Sequence, residues 1–234
     1  MCNRYSIQSP ERFRNTGPLG EAFGRAFGDM APRYNIAPSQ LVPVIATDEE
    51  GAWQAGPMKW GFIPAYDKAT APRFAPTNAK AETVLTSGMF KESAQQRRCL
   101  LPADGFYEWH HVTPTLKVPH YFHLPDGEPF FFAGIYEPAA ADRPATCALL
   151  TMEPLPVVVP YHNRTPLLLD TENALAWGAR GPMTAERLAA LQNRRHWETT
   201  LTEHEVSRVA NSSRNDTREC VLPMRVEGDL FSLS

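Results

Sequence analysis

CLLPADGFYEW, residues 99–109, reads as two strand-forming runs broken by a turn at Pro102-Ala103-Asp104-Gly105. Strand signals accumulate on both sides of it. Residues 119–124 and 129–136 flank Pro125-Asp126-Gly127 and predict a hairpin. Residues 146–152 (TCALLTM) and 165–169 (TPLLL) read as strands, as do 2–8 and, late in the chain, 204–210. Residues 40–47 and 52–60 flank a turn over 48–51, a second predicted hairpin. Helical signals are fewer: 10–30, broken at Gly17-Pro18; 80–97, with an apolar stripe at Val84, Leu85, Met89 and Phe90; 171–177 after Asp170; and 185–195 after Thr184. Residues 64–77 read as a loop. The pattern predicts an α+β fold with antiparallel strands prevailing, in one domain over 1–234.

Composition narrows the function classes. Prolines number 22 of 234 residues, which suits short strands and ordered loops. The net charge of −3 is not the basic footprint of a nucleic-acid binder, so any such contact must come from locally clustered Arg and Lys. Cys2, Cys99, Cys147 and Cys220 are widely spaced and read as reduced thiols in a cytoplasmic protein. The N-terminus lacks an apolar leader core, and no run of about 20 apolar residues is present to span a membrane. His120 and His123 are three apart on a predicted strand and face opposite sides, so no metal is expected. With no glycine-rich phosphate motif either, no cofactor is expected.

The chemistry centres on Cys2. Removal of Met1 before so small a residue leaves an α-amine of pKa about 7.7–8.0 beside a thiol of about 8.5. Such an aminothiol condenses with an aldehyde: the amine forms an imine, and the thiol then closes a thiazolidine ring. The alternative is an ordinary second residue on a frayed terminus.

The blocks RYNIAPSQ (33–40), KWGFIP (59–64), NAKAETV (78–84), RRCLLPADGFYEW (97–109), FAGIYE (132–137), HNRTPLLL (162–169) and VSRVANSSRND (206–216) follow MCNRYS in order. In sequence and spacing this series resembles the SRAP (SOS response-associated peptidase) family. The resemblance implies curved, mostly antiparallel, barrel-like sheets with a few flanking helices. It also implies an abasic-site sensor whose N-terminal cysteine bonds covalently to abasic sites in single-stranded DNA, acting as a monomer. An earlier view of the family is a peptidase that removes its own N-terminus.

Carried over, the nucleophile is Cys2, the amide Asn78, the carboxylate Glu108 and the histidine His162. Opening the sugar hemiacetal needs acid–base help, which Glu108 desolvated between Tyr107 and Trp109, or His162, would supply. Other roles remain open: Glu108 as a solvent-facing strand residue, Asn78 as a helix N-cap, His162 as a loop residue. Arg4, Arg33, Lys80, Arg97, Arg98, Arg164 and Arg214 fall inside the blocks as candidate phosphate contacts. Trp109, Met89 and Phe90 are candidates for stacking or wedging, whereas Trp60 and Phe62 read as core.

The chain departs from the pattern at Asn3, where many members have Gly, at Lys80, where many have Arg, and at Asn163, where many have an acid. Two rival functions follow from the same residues: a cysteine peptidase or amidohydrolase using Cys2, and a non-catalytic single-strand binder.

Overall fold

The computed structural model describes residues 2–67, 74–113, 115–141, 143–192 and 194–224. From the amino end, β1 (Tyr5–Ile7) leads into a 3-10 turn over Pro10–Asn15 and α1 (Pro18–Phe27). Gly17 divides the two at φ 60°, and Pro18 opens α1, where a missing N–H is harmless. Leu19, Ala22 and Phe23, at helical spacing, are buried. Next come β2 (Arg33–Ile36), β3 (Leu41–Thr47) and β4 (Trp53–Trp60). β3 and β4 form the predicted hairpin, its turn held by Asp48 accepting from the amides of Glu50 (3.1 Å) and Ala52 (2.8 Å).

The predicted loop 64–77 is described except for 68–73, which lie outside the described residues. β5 (Asn78–Lys80), α2 (Lys91–Gln96), β6 (Arg98–Ala103) and β7 (Gly105–His111) follow. The helix predicted over 80–97 is only α2, and most of the apolar stripe lies in turns. Thr83, Val84, Thr86 and Gly88 are weak helix formers, and the Thr83 carbonyl closes one turn by accepting from Ser87 (2.8 Å). β8 (Lys117–His123), β9 (Phe130–Glu137) and β10 (Thr146–Met152) come next. β11 (Thr165–Pro166) and β12 (Leu168–Leu169) then divide the single strand predicted there. Leu167 between them donates to Leu150 (2.8 Å) and accepts from Ala133 (3.0 Å), so the chain steps from β10 to β9.

Asp170 caps α3 (Thr171–Gly178) and Thr184 caps α4 (Ala185–Leu191), both as the sequence predicts. The helix predicted to run to 195 ends at Leu191, position 193 lies outside the described residues, and α5 (Arg194–Thr200) begins anew. β13 (Thr202–Glu205) starts earlier than predicted and gives way to a 3-10 turn, Arg208–Asn211.

One sheet has the order β13-β8-β7-β1-β2. The other closes on itself: β10 pairs with β4 and β9, and β3 and β6 complete the ring. The predicted 119–136 hairpin is a correction, because β8 belongs to the first sheet and β9 to the barrel. The Pro-Asp-Gly turn is real, but it turns a corner. Tertiary packing, not the turn, chooses each strand's partner.

The 99–109 stretch is the other corner, with β6 in the barrel and β7 in the open sheet. Asp104 fixes it by accepting from Ser6 Oγ (2.6 Å) and from the amides of Gln8 and Ser9. Gly105 is obligatory, since a Cβ there would lie 1.9 Å from the Tyr121 hydroxyl oxygen. Tyr5 packs edge-on against Trp60 (5.4 Å) and Phe132 (5.6 Å), so the start of the chain is part of the core. No described helix is long and apolar enough to cross a membrane.

Candidate functional site

Cys2 is fully buried three residues before β1. Its thiol lies 3.6 Å from the Arg4 carbonyl, which also accepts from the Tyr107 amide (3.0 Å). That second bond extends the β1–β7 ladder to Arg4 and Tyr107, and Cys2 lies near enough to Glu108 to feel its charge. Burial, reinforced by the Glu108 charge, pushes the thiol's pKa well up.

Glu108 is 3% exposed, which excludes the solvent-facing reading. Its Oε1 is buried without a hydrogen-bond partner among the described residues. Burial raises its pKa from 4.5 to about 7, so near neutrality it holds or yields a proton readily. An unpaired acid also weakens the fold. Unfolding returns the group to water, where it ionises near 4.5, so between pH 4.5 and about 7 the folded chain keeps a proton that the unfolded chain has lost. Stability therefore falls as pH rises through that window, by at most about 3 kcal/mol. Glu108→Gln is expected to be more stable than wild type at pH 8 by up to that amount and equal to it near pH 4. Urea unfolding at the two pH values checks this; equal pH dependence in both proteins would contradict it.

Asn78 is not an N-cap but the first residue of β5, paired in parallel with β10. Its Nδ2 donates to Asn3 Oδ1 (3.2 Å) and Thr77 Oγ1 (2.8 Å), while its buried Oδ1 has no partner among the described residues. Asn3, where the chain departs from the family pattern, thus serves to orient Asn78. His162 follows the turn after β10 and lines one cleft with Glu108. Its Nδ1 lies 3.0 Å from the Arg164 amide nitrogen and 3.3 Å from the Arg164 carbonyl oxygen, so the same backbone holds the ring in either neutral tautomer. Burial lowers its pKa and favours the neutral form.

The predicted cations separate by their partners. Arg33 is paired with Asp216, and Arg97 with Glu137 (2.9 Å) and Glu92 (3.1 Å). Arg164 grips Glu82 with two nitrogens, at 2.9 and 2.6 Å. Arg98 is a correction: its five donors go to the carbonyls of Ala94, Gln95, Trp177, Ala179 and Gly181, leaving none for a phosphate. Lys80 and Arg214 are exposed. Arg4 donates to Asn35 Oδ1 (2.9 Å) and the Ala210 carbonyl (3.0 Å), and its guanidinium lies 5.4 Å from the Trp109 ring centre. Trp60 and Phe62 are core, as predicted. Met89 and Phe90 are half-buried against that core, Phe90 at 5.3 Å from Phe62.

The cleft, about 590 Å³, contains Arg4, Glu108, Trp109 and His162, but also residues the sequence reading passed over: His111, Lys117, Arg208 and Asn211. The last two stand inside the quoted block 206–216 and were within reach. Lys117 carried no local signal, because it is the β7–β8 register, His111 opposite Lys117, that brings it to the rim.

A buried thiol near the start of the chain thus lies near a buried acid, and that acid opens onto a cleft lined by a histidine and several cations. The profile of the SOS response associated peptidase (SRAP) family matches residues 1–213. The chain belongs to that family. It is 30% identical to the abasic site processing protein YoqW of Bacillus subtilis over 229 residues, covering 94% of this chain and 99% of that one. It is also 30% identical to the abasic site processing protein YedK of Escherichia coli, covering 96% and 100%. A crystal structure of a Bacteroides thetaiotaomicron protein has the same fold, with a TM-score of 0.75 at 19% identity over 96% of this chain and all of that one.

Proposed function

We propose that this protein captures abasic sites in single-stranded DNA as a covalent thiazolidine through Cys2, once Met1 has been removed. The observation that carries the reading is the pairing of buried Cys2 with Glu108, an acid of pKa about 7 whose Oε1 has no partner among the described residues. The names of the relatives support the substrate class.

The steps balance without an oxidant or cofactor. The Cys2 amine adds to the opened C1 aldehyde, and protonated Glu108 gives its proton to the departing hydroxyl, which leaves as water. The resulting carboxylate takes the thiol proton as Sγ adds to the imine carbon and closes the ring. His162, which lines the cleft, assists as the proton donor to the sugar ring oxygen, and Asn78 Oδ1 accepts from a sugar hydroxyl. Lys80, Arg214 and Arg4 are the predicted cations that hold no carboxylate among the described residues; Arg33, Arg97 and Arg164 would first have to give one up.

A peptidase needs a thiolate, and burial drives this thiol the other way. A plain binder has no use for a buried unpaired acid. The test is intact mass spectrometry after mixing with abasic single-stranded DNA. The expected product has the mass of processed protein plus oligonucleotide minus one water; only free masses, at any protein excess, would overturn the proposal.

A further inference from the structure

Phe106 and Phe122 face the barrel through Phe132, so Tyr121, His123 and His204, which alternate with them on β8 and β13, lie on the other face of the open sheet. Residues 206–224 cover that face. Val206 pairs with Pro223, the Met224 amide donates to the Glu205 carbonyl (2.9 Å), and Val206 and Val221 pack in one cluster with Tyr121. His123 and His204 are half-buried there. Each ring has one nitrogen fixed by a carbonyl. His123 Nδ1 lies 2.8 Å from the Leu124 carbonyl oxygen, and His204 Nε2 lies 2.9 Å from that of Val221. A carbonyl oxygen only accepts, so both of these nitrogens carry a hydrogen. The two that remain, His123 Nε2 and His204 Nδ1, face each other at 3.2 Å. In neutral rings both are bare lone pairs. One proton between them makes an N–H···N bond; a second sets two N–H groups and two like charges against each other.

We propose that His123 and His204 form an acid-sensitive latch that holds residues 206–224 on the open sheet, shut with at most one proton between the rings and opened by the second. The held segment includes Arg208 and Asn211 of the cleft and the Ala210 carbonyl that binds Arg4, so acid loosens the cleft wall. Among the described residues no carboxylate bonds either ring to offset a second charge. The Tyr121 hydroxyl is taken by Ser6 and Gln8 (2.7 Å each), and Glu219 accepts from Ser207 (3.3 Å). Cys220 is buried beside Val221, and Asp126, past Leu124, is exposed. Glu203 and Glu205 project from the opposite face of β13. Glu203 is held there by His120 and Tyr161 (2.8 Å each); its charge raises the His204 pKa and that of His120 lowers it. Burial, with the charge of His123, holds His204 below its ordinary 6.5 against the pull of the Val221 carbonyl. Released, the ring titrates near 6.5 and binds the proton that the latch refuses. Latching is therefore fully present above about pH 6.5 and is lost as pH falls below it. Glu108 has the opposite sign, so acid frees this segment while it steadies the rest of the fold.

The test is hydrogen exchange at the Val221 and Met224 amides, which bond to the Arg218 and Glu205 carbonyls, read as protection over the intrinsic rate at each pH from 5 to 7.5. In wild type this protection is expected to fall with acid below pH 6.5 by up to about tenfold per pH unit, the linkage of one extra proton, while the β3–β4 amides keep theirs. His123→Gln is expected to flatten the profile. A glutamine offers an N–H to a bare nitrogen or an oxygen to a protonated one, so neither state of His204 is penalised. Imidazole NMR of the wild-type chain gives a reading that needs no variant: the two rings should titrate in two separated steps that belong to the pair. Protection in wild type that does not change with pH, or an equally steep fall in His123→Gln, would overturn the latch. So would two rings that titrate independently near 6.5. A profile flattened by EDTA would also overturn it, since a metal ion rather than a proton would then join the rings.

Discussion

A chain that begins at Cys2 is expected to convert an abasic single strand into a denaturation-resistant adduct, while the same chain with Met1 still attached forms none. The reason is electronic. With Met1 in place the Cys2 nitrogen belongs to a peptide bond, and resonance with the carbonyl occupies the lone pair that imine formation requires. The thiol alone adds only reversibly, as a hemithioacetal. Cys2→Ser should likewise lose durable product, because an oxazolidine is less stable than a thiazolidine. Intact mass of each form before and after mixing settles it. Stable adduct from a chain whose product mass still includes Met1, or equally durable adduct from Cys2→Ser, would end the free-aminothiol mechanism.

The second large effect is on rate. Glu108→Gln and His162→Ala are each expected to slow adduct formation by about 10²–10⁴-fold, the usual worth of one positioned proton donor or acceptor, with single-strand affinity retained. The pH profiles separate the roles. Wild type should lose rate above about pH 7 as Glu108 ionises, and Glu108→Gln should not show that limb. Single-turnover crosslinking across pH 5–9 measures both. Unchanged rates in both variants would return the two residues to purely structural roles.

Local chemistry made much of this molecule readable from its sequence. The helix caps at Asp170 and Thr184, the β3–β4 turn and the break at Gly17-Pro18 are decided within a few residues, and the structure has them where the sequence predicts. Partner choice between strands is not local. The Pro-Asp-Gly turn carries the chain from one sheet to the other, and nothing within 119–136 says so. The candidate site divides in the same way. Cys2, Glu108, Asn78 and His162 were named from residue type and family pattern. That Asn3 holds Asn78, and that Lys117 and Arg208 line one cleft with Trp109, depends on pairings between distant segments. Arg98 misled because a basic residue in a family block reads as a phosphate contact. Its surroundings of five carbonyls exist only after α2 and α3 have both packed against β6.

The place of β1 between β2 and β7 has a consequence for biosynthesis. The first residues to leave the ribosome are among the last to find their places. Cys2 gains its acid only after Glu108 is made, and Arg4 binds a carbonyl 206 residues downstream. A nascent chain therefore carries its N-terminal thiol with neither the acid nor the histidine in register, and a truncated product lacking residues beyond 207 never assembles the cleft wall. The proposed centre is therefore assembled only after the chain has been made past Asn211, and topology itself would delay its chemistry until then.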